Sequence, residues 1–383
     1  MIRGMAAAQT TIFTEMTALA ESTGSVNLGQ GFPDEDGPAL IIDAAIEALR
    51  AGQNQYAPLP GVPVLREAIA EHQRRLYGIE IDPATEVQVT FGATEALAAA
   101  LLALVKAGDE VLVLDPSYDS YAPIVAIAGG TVRPLALQPP DWRLRADVVS
   151  AAASERTRVL LLNSPHNPTG RVLDTDELAM LADICRRHDL IAITDEVYEH
   201  LVYDGRHIPL ATLPGMHERT VTVSSLGKTH SLTGWKIGWA TGPAELIARL
   251  RSVKQFLTFA GGTPLQHAAA VGVALPEEHV AQLVDELRGK RDLLTNALGE
   301  LGFEVLPSAG TYFLNADVSG LGEDDARELC LRLPHEAGVA AIPVSAFSER
   351  ADGSLDPLMR FAFCKRVDVL EEGIERLSRW RDR

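Results

Sequence analysis

Ser224-Ser225-Leu226-Gly227-Lys228-Thr229-His230-Ser231-Leu232-Thr233-Gly234-Trp235-Lys236-Ile237-Gly238-Trp239 is the stretch whose reading decides the rest. A short β-like run delivers Lys228, and a second lysine, Lys236, follows in the next turn. An ε-amino group is a nucleophile only when neutral, and a neighbouring cation or partial desolvation lowers its pKa. Lys228 beside Lys236 is therefore suited to forming an imine with a carbonyl. A strand followed by a basic turn would leave the same pattern, so the segment needs partners elsewhere in the chain.

Those partners stand upstream. Val159 to Leu162 is an apolar run leading into Asn163-Ser164-Pro165-His166-Asn167-Pro168-Thr169-Gly170, and Leu190 to Thr194 leads into Asp195-Glu196-Val197-Tyr198. In an open α/β sheet the carboxyl ends of strands line the ligand crevice, so Asn167, Asp195, Tyr198 and Lys228 can converge although they are distant in sequence. Further strand-like runs at Glu86 to Phe91, Glu110 to Leu114, Thr131 to Leu137, Arg158 to Asn163, Leu190 to Asp195, Thr220 to Ser224 and Lys236 to Thr241 alternate with helical stretches. The pattern predicts an α/β fold with a mostly parallel, doubly wound sheet of about seven strands.

Helices are expected over Thr94 to Val105, Asp174 to Arg187 and Ala244 to Gln255, with a long one from about Pro264 into Glu300 that Pro276 should break or kink. Beyond Leu301 come Phe303 to Leu306, Thr311 to Leu314, a helix near Asp324 to Ala337 and Leu358 to Phe363, the pattern of a smaller α+β domain. The expected division is an N-terminal arm with part of the small domain over 1–33, a large domain over 34–285 and the C-terminal small domain over 286–383.

Composition narrows the class. A chain of 383 residues with 46% hydrophobic content can bury a large core. Lys and Arg number 34 against 52 Asp and Glu, a net charge of −18 that argues against duplex DNA or an anionic membrane as a partner. Cys185, Cys330 and Cys364 lack metal-ligand or CxxC spacing and read as buried small hydrophobes in a reducing compartment, with no metal site expected. No apolar stretch is long enough for a membrane span, and Met1 to Thr23, with Glu15 and Glu21, reads as an amphipathic start rather than a signal peptide, so a cytoplasmic protein is expected.

Together these segments resemble the pyridoxal-5'-phosphate (PLP) enzymes of fold type I, specifically the class I/II aminotransferases, from about Val26 to Arg366. Asn27-Leu28-Gly29-Gln30-Gly31-Phe32-Pro33-Asp34, Asn54-Gln55-Tyr56 and Thr233-Gly234-Trp235-Lys236 are similar to the kynurenine, glutamine and methionine aminotransferase branch. Gly31 to Pro38 and Phe361 to Arg366 look like the actinobacterial N-succinyldiaminopimelate aminotransferases of that branch.

The resemblance implies a site, residue by residue. The PLP phosphate would be held by the backbone of Ala93 and Thr94, the Ser225 hydroxyl and the Lys236 cation, with Tyr56 reaching it from the partner subunit of a homodimer. Gly92-Ala93-Thr94 lies between a strand and a helix start, where free N–H groups and the helix dipole favour an anion. Asp195 would keep the pyridine nitrogen protonated, with Tyr198 three residues on, Asn167 would donate to the ring's phenolate oxygen, and Tyr118 would stack on its face. Lys228 is the implied Schiff-base lysine and proton carrier, with Asp195 and Tyr198 the other catalytic residues. Arg360, in the apolar run Leu358 to Phe363, would clamp the substrate α-carboxylate, with Asn167 and the backbone near Gly31 assisting; a structural ion pair is the alternative for it. Glu196 reads as structural or solvent-facing.

The implied reaction is ping-pong transamination between an amino acid and a 2-oxo acid. Aspartate-type relatives carry a second arginine where Phe259-Ala260-Gly261-Gly262 stands here, which favours longer or apolar side chains, with Phe13, Tyr56 and Tyr118 as pocket walls. The likeness points to N-succinyl-LL-2,6-diaminopimelate with 2-oxoglutarate and glutamate as the other pair. Broad aromatic, methionine or glutamine transamination, or a cysteine-conjugate β-lyase, is the alternative.

Overall fold

The computed structural model describes residues 11–383, so the part of the amphipathic start before Thr11 lies outside the described residues. After β1 (Val26–Asn27) the chain builds one large sheet from β2 (Val87–Phe91), β3 (Glu110–Asp115), β4 (Thr131–Ala136), β5 (Thr157–Asn163), β6 (Ile191–Asp195), β7 (Thr220–Ser225) and β8 (Ile237–Thr241). Their order is β2-β8-β7-β6-β5-β3-β4. Only β8 runs antiparallel to its neighbours; the other pairings are parallel.

Apolar runs rather than alternation mark the central strands because helices cover both faces, while the edge strand β4 is largely exposed. Leu112, Leu114, Leu160, Leu162 and Ala192 point into one buried cluster. Val111, Val113, Val159, Leu161 and Ile193 point into another on the opposite face. The period of two therefore sorts residues between two cores instead of between core and water.

A second, smaller sheet follows: β9 (Glu304–Val305), β10 (Phe313–Asp317), β12 (Ile342–Pro343) and β13 (Leu358–Ala362), antiparallel in the order β12-β13-β10-β9, while β11 (Val339–Ala340) pairs in parallel with β1. Its core joins the two ends of the described chain, bringing Met16 and Ala20 of the helix Ile12–Thr23 together with Phe361, Leu370 and Leu377.

Local chemistry sets the boundaries. Asp174 caps the helix Thr175–Arg187 in a reciprocal capping box with Glu177. Pro276 ends the expected long helix, dividing it into Thr263–Val273 and Glu277–Glu300, since proline lacks the amide donor and crowds the preceding turn. Two strands start later than the apolar runs suggest: Lys236 and Thr311 hold positive φ, 54° and 65°, and the pleat begins only after each of them. Glu196 is not solvent-facing; it is buried, 2.7 Å from His207 Nε2. The three cysteines are buried and free. No helix among the described residues is long and apolar enough to cross a membrane.

Candidate active site

A cavity of about 170 Å³ opens where β5, β6 and β7 end and β8 begins. Ala93, Thr94, Tyr118, Asn167, Asp195, Tyr198, Ser225, Lys228 and Lys236 all line it. Gly31, Tyr56 and Arg360 do not, but Arg360 is joined to it through Asn167.

One end is built for an anion. The helix Gly92–Leu104 starts here with no side chain capping it, leaving first-turn amides unpaired by the helix itself. Gly92 takes φ +66°, and a Cβ there would stand 3.3 Å from Lys236 Nζ. A Cβ on Gly238 would lie 2.4 Å from the Gly92 carbonyl carbon and 2.6 Å from Ala93 N. The β8 backbone thus presses directly against the helix start. The left-handed conformation of Lys236, unusual for a residue with a side chain, brings its ammonium to the same place.

The middle holds an uncompensated carboxylate. Asp195 is buried, accepts a 2.8 Å hydrogen bond from Tyr121 Oη, and has its main-chain carbonyl held by Asn163 Nδ2 at 2.8 Å. Burial pushes its pKa up to about 6 despite the bonds from Tyr121 and Val197. No ion pair compensates it among the described residues. Lys228 lies with Nζ 5.7 Å from the Tyr198 ring centre and 5.9 Å from that of Tyr312. Burial lowers its pKa, the shift toward a free amine that nucleophilic and proton-carrying roles need. Burial likewise raises the Tyr198 phenol, which stays protonated.

Arg360 forms the third element. It is 1% exposed; Nη1 donates to Asn167 Oδ1 at 2.8 Å and Nη2 to the Gly29 carbonyl at 2.9 Å, while Nε has no partner. Phe313 and Phe347 pack on the guanidinium at 3.9 and 4.5 Å from their ring centres, with Phe13 at 5.5 Å. Burial lowers its pKa to about 10, so it remains a cation. The structural ion pair left open by the sequence is absent among the described residues. Gly31 sits close by through its carbonyl, which accepts from Tyr312 Oη at 2.6 Å.

Tyr121, Asn163 and Tyr312 belong to this site and escaped the sequence reading. Tyr121 opens the helix Tyr121–Ile127, and its amide donates to the Tyr118 carbonyl at 3.1 Å across the turn before it. Tyr312 is brought in from the small sheet by tertiary packing, and nothing local announces it.

The family Aminotransferase class I and II matches residues 23–377. The chain is a class I and II aminotransferase. It is 53% identical to a probable N-succinyldiaminopimelate aminotransferase of Mycobacterium tuberculosis, over 96% of each chain. The solved structure of N-succinyldiaminopimelate aminotransferase from that organism superposes with a TM-score of 0.95 at 54% identity, covering 97% of each chain. The methionine aminotransferase of Escherichia coli is 47% identical over 96% of this chain and 95% of its own.

The aminotransferase is a PLP-dependent transaminase of fold type I, and the residues fit that cofactor. A buried carboxylate lacking a cation suits a protonated heterocycle, an uncapped helix start beside a lysine suits a phosphate, and a buried amine suits a carbonyl. The cofactor supplies a carbonyl for amine exchange and a cationic ring that withdraws electrons from the substrate's Cα.

Proposed function

We propose that this transaminase exchanges amino groups between N-succinyl-LL-2,6-diaminopimelate and 2-oxoglutarate by a ping-pong mechanism. The observation that carries the reading is the buried, unpaired guanidinium of Arg360, held flat by Asn167 and Gly29 next to the cavity that contains Lys228. A planar fork of this kind matches an α-carboxylate, the group common to every amino acid and 2-oxo acid substrate. The likeness to the mycobacterial protein supports the specific substrate.

In this reading Ala93, Thr94, Ser225 and Lys236 hold the cofactor phosphate, and Asp195 holds a proton on the ring nitrogen. Tyr121 fixes the Asp195 carboxylate from the far side. Asn167 spends its oxygen on Arg360, leaving its amide nitrogen to meet the ring oxygen together with Tyr198. Tyr118 covers the ring. The neutral amine of Lys228 takes the proton from the substrate's Cα and returns it on the other side of the exchange. Arg360 keeps Cα in place while this happens.

Phe13 and Phe347 beside Arg360 favour a long or apolar side chain, and a neighbouring cavity of about 450 Å³ that shares Tyr118 offers room for one. The same aromatic surroundings support methionine or aromatic amino acids as the second reading.

The working unit in this account is a homodimer in the cytoplasm. Tyr56 is 81% exposed and lies against Phe259 at 5.7 Å, outside its own chain's cavity, and Phe256, three residues before Phe259 in sequence, is 85% exposed. Thr263 Oγ1 donates to the Gln55 carbonyl at 2.7 Å, which ties the two segments together. Within each subunit we divide the chain at 33/34 and 285/286, the latter inside the helix Glu277–Glu300, which therefore links the two sheets.

Initial-rate kinetics test the mechanism. Double-reciprocal plots at several 2-oxoglutarate concentrations should be parallel, and lines intersecting left of the axis would remove the ping-pong assignment. For the dimer, Lys228→Ala chains mixed with Tyr56→Phe chains should give, at limiting PLP, more activity than the mean of the two homodimers. No excess after subunit exchange would place Tyr56 in its own subunit's site.

A further inference from the structure

A second cavity, of about 300 Å³, lies on the other side of the Lys228 turn; Ser225 lines both. Here His72 Nε2 and His200 Nε2 approach to 3.0 Å beside the Glu199 carboxylate. His72 comes from the helix Pro63–Tyr77, while Glu199 and His200 directly follow Tyr198. Transamination uses none of the three. His72 and Glu199 are buried, and His72 Nδ1 has no partner.

We propose that His72, Glu199 and His200 bind one divalent transition-metal ion of the zinc class, with a remaining coordination position open to this cavity. Two imidazoles and one carboxylate are a donor set zinc accepts with a fourth position left for water. The donor atoms all lie within 4.8 Å of one another. Tetrahedral zinc with bonds of about 2.0–2.1 Å sets its ligand atoms roughly 3.3 Å apart, so closure needs side-chain movement only.

The surroundings are those of a ligand set. Tyr77 Oη donates to Glu199 Oε2 and Ser224 Oγ to Oε1, each at 2.6 Å, which orients the carboxylate and leaves a lone pair on each oxygen. Burial lowers the pKa of His72, and that of His200 to about 4, so neither imidazole has a proton to surrender to a metal at neutral pH. Burial works against the Glu199 carboxylate, yet the charge that the two imidazoles take up in acid and the two hydroxyl donors hold its pKa at about 2, so it is ionised at neutral pH. Two neutral imidazoles share at most one hydrogen bond and bring no charge to the Glu199 carboxylate, and Arg75 lines the same cavity. An ion there would fasten the Asp195 to His200 segment to the helix Pro63–Tyr77.

Holoenzyme dialysed against a chelator and then exchanged into chelator-free buffer should take up one Zn²⁺ per chain, measured by elemental analysis and by competition with a chromophoric chelator. Glu199→Gln and His200→Ala should each weaken binding about 100-fold or more, whereas His217→Ala, at an exposed histidine, should leave it unchanged. Should His200→Ala lose the cofactor absorption that marks a folded subunit, the isosteric Glu199→Gln decides alone. Failure of the wild type to bind one equivalent, or equal affinity in Glu199→Gln, overturns the proposal.

Discussion

Replacing Asp195 by asparagine separates what the carboxylate costs the fold from what it contributes to turnover. In the cofactor-free protein the folded-state pKa is raised from 3.8 to about 6, chiefly by burial. A raised carboxyl favours folding fully only below its unfolded pKa, and that advantage disappears as pH climbs toward the folded value. The wild-type apoprotein should therefore lose about 3 kcal/mol in all from this group between about pH 3 and pH 7, about 2 kcal/mol of it between pH 4 and pH 6. Asparagine keeps the size and can still accept from Tyr121 but does not ionise. The Asp195→Asn apoprotein should match the wild type near pH 3 and be about 3 kcal/mol more stable above pH 7, read from urea unfolding across that range. With PLP bound the order reverses, because a protonated ring supplies the missing cation: the variant should lose on the order of 10³-fold in kcat, roughly 4 kcal/mol. An apoprotein whose stability difference does not change with pH would refute the burial argument, and full turnover at saturating PLP would refute the electronic role.

Lys228→Ala should abolish turnover and the visible absorption band of the bound cofactor while leaving far-UV circular dichroism unchanged. Arg360→Lys keeps the charge but loses the fork, so kcat/KM should fall on the order of 10²-fold for amino acid and 2-oxo acid alike. Gly238→Ala drives a Cβ to 2.4 Å from the Gly92 backbone, and the strain, typically about 1–3 kcal/mol, should appear as weaker PLP affinity in an apoenzyme titration.

The large sheet was legible because its central strands are buried on both faces and announce themselves as unbroken apolar runs, as Val159 to Leu162 does. Pro276 likewise marked a helix boundary through the one property proline cannot hide. The reach of the sequence ended where backbone conformation or long-range pairing decides. Nothing local signals that Lys236 is left-handed, or that β8 inserts antiparallel between β2 and β7. Nine of the twelve site residues named from sequence share one cavity, because strand ends in such a sheet must converge. The supports were hidden for the same reason in reverse: Tyr312 and Phe347 reach Gly31 and Arg360 from the far end of the chain, and His72 meets His200 across more than a hundred residues.

The central claim is most directly tested by comparing kcat/KM for N-succinyl-LL-2,6-diaminopimelate, methionine, kynurenine, glutamine and aspartate as amino donors to 2-oxoglutarate, with glutamate formation as the readout. N-succinyl-LL-2,6-diaminopimelate should give the highest value and aspartate the lowest. A higher value for methionine or kynurenine would contradict the substrate assignment, and no glutamate from any donor would contradict transamination itself.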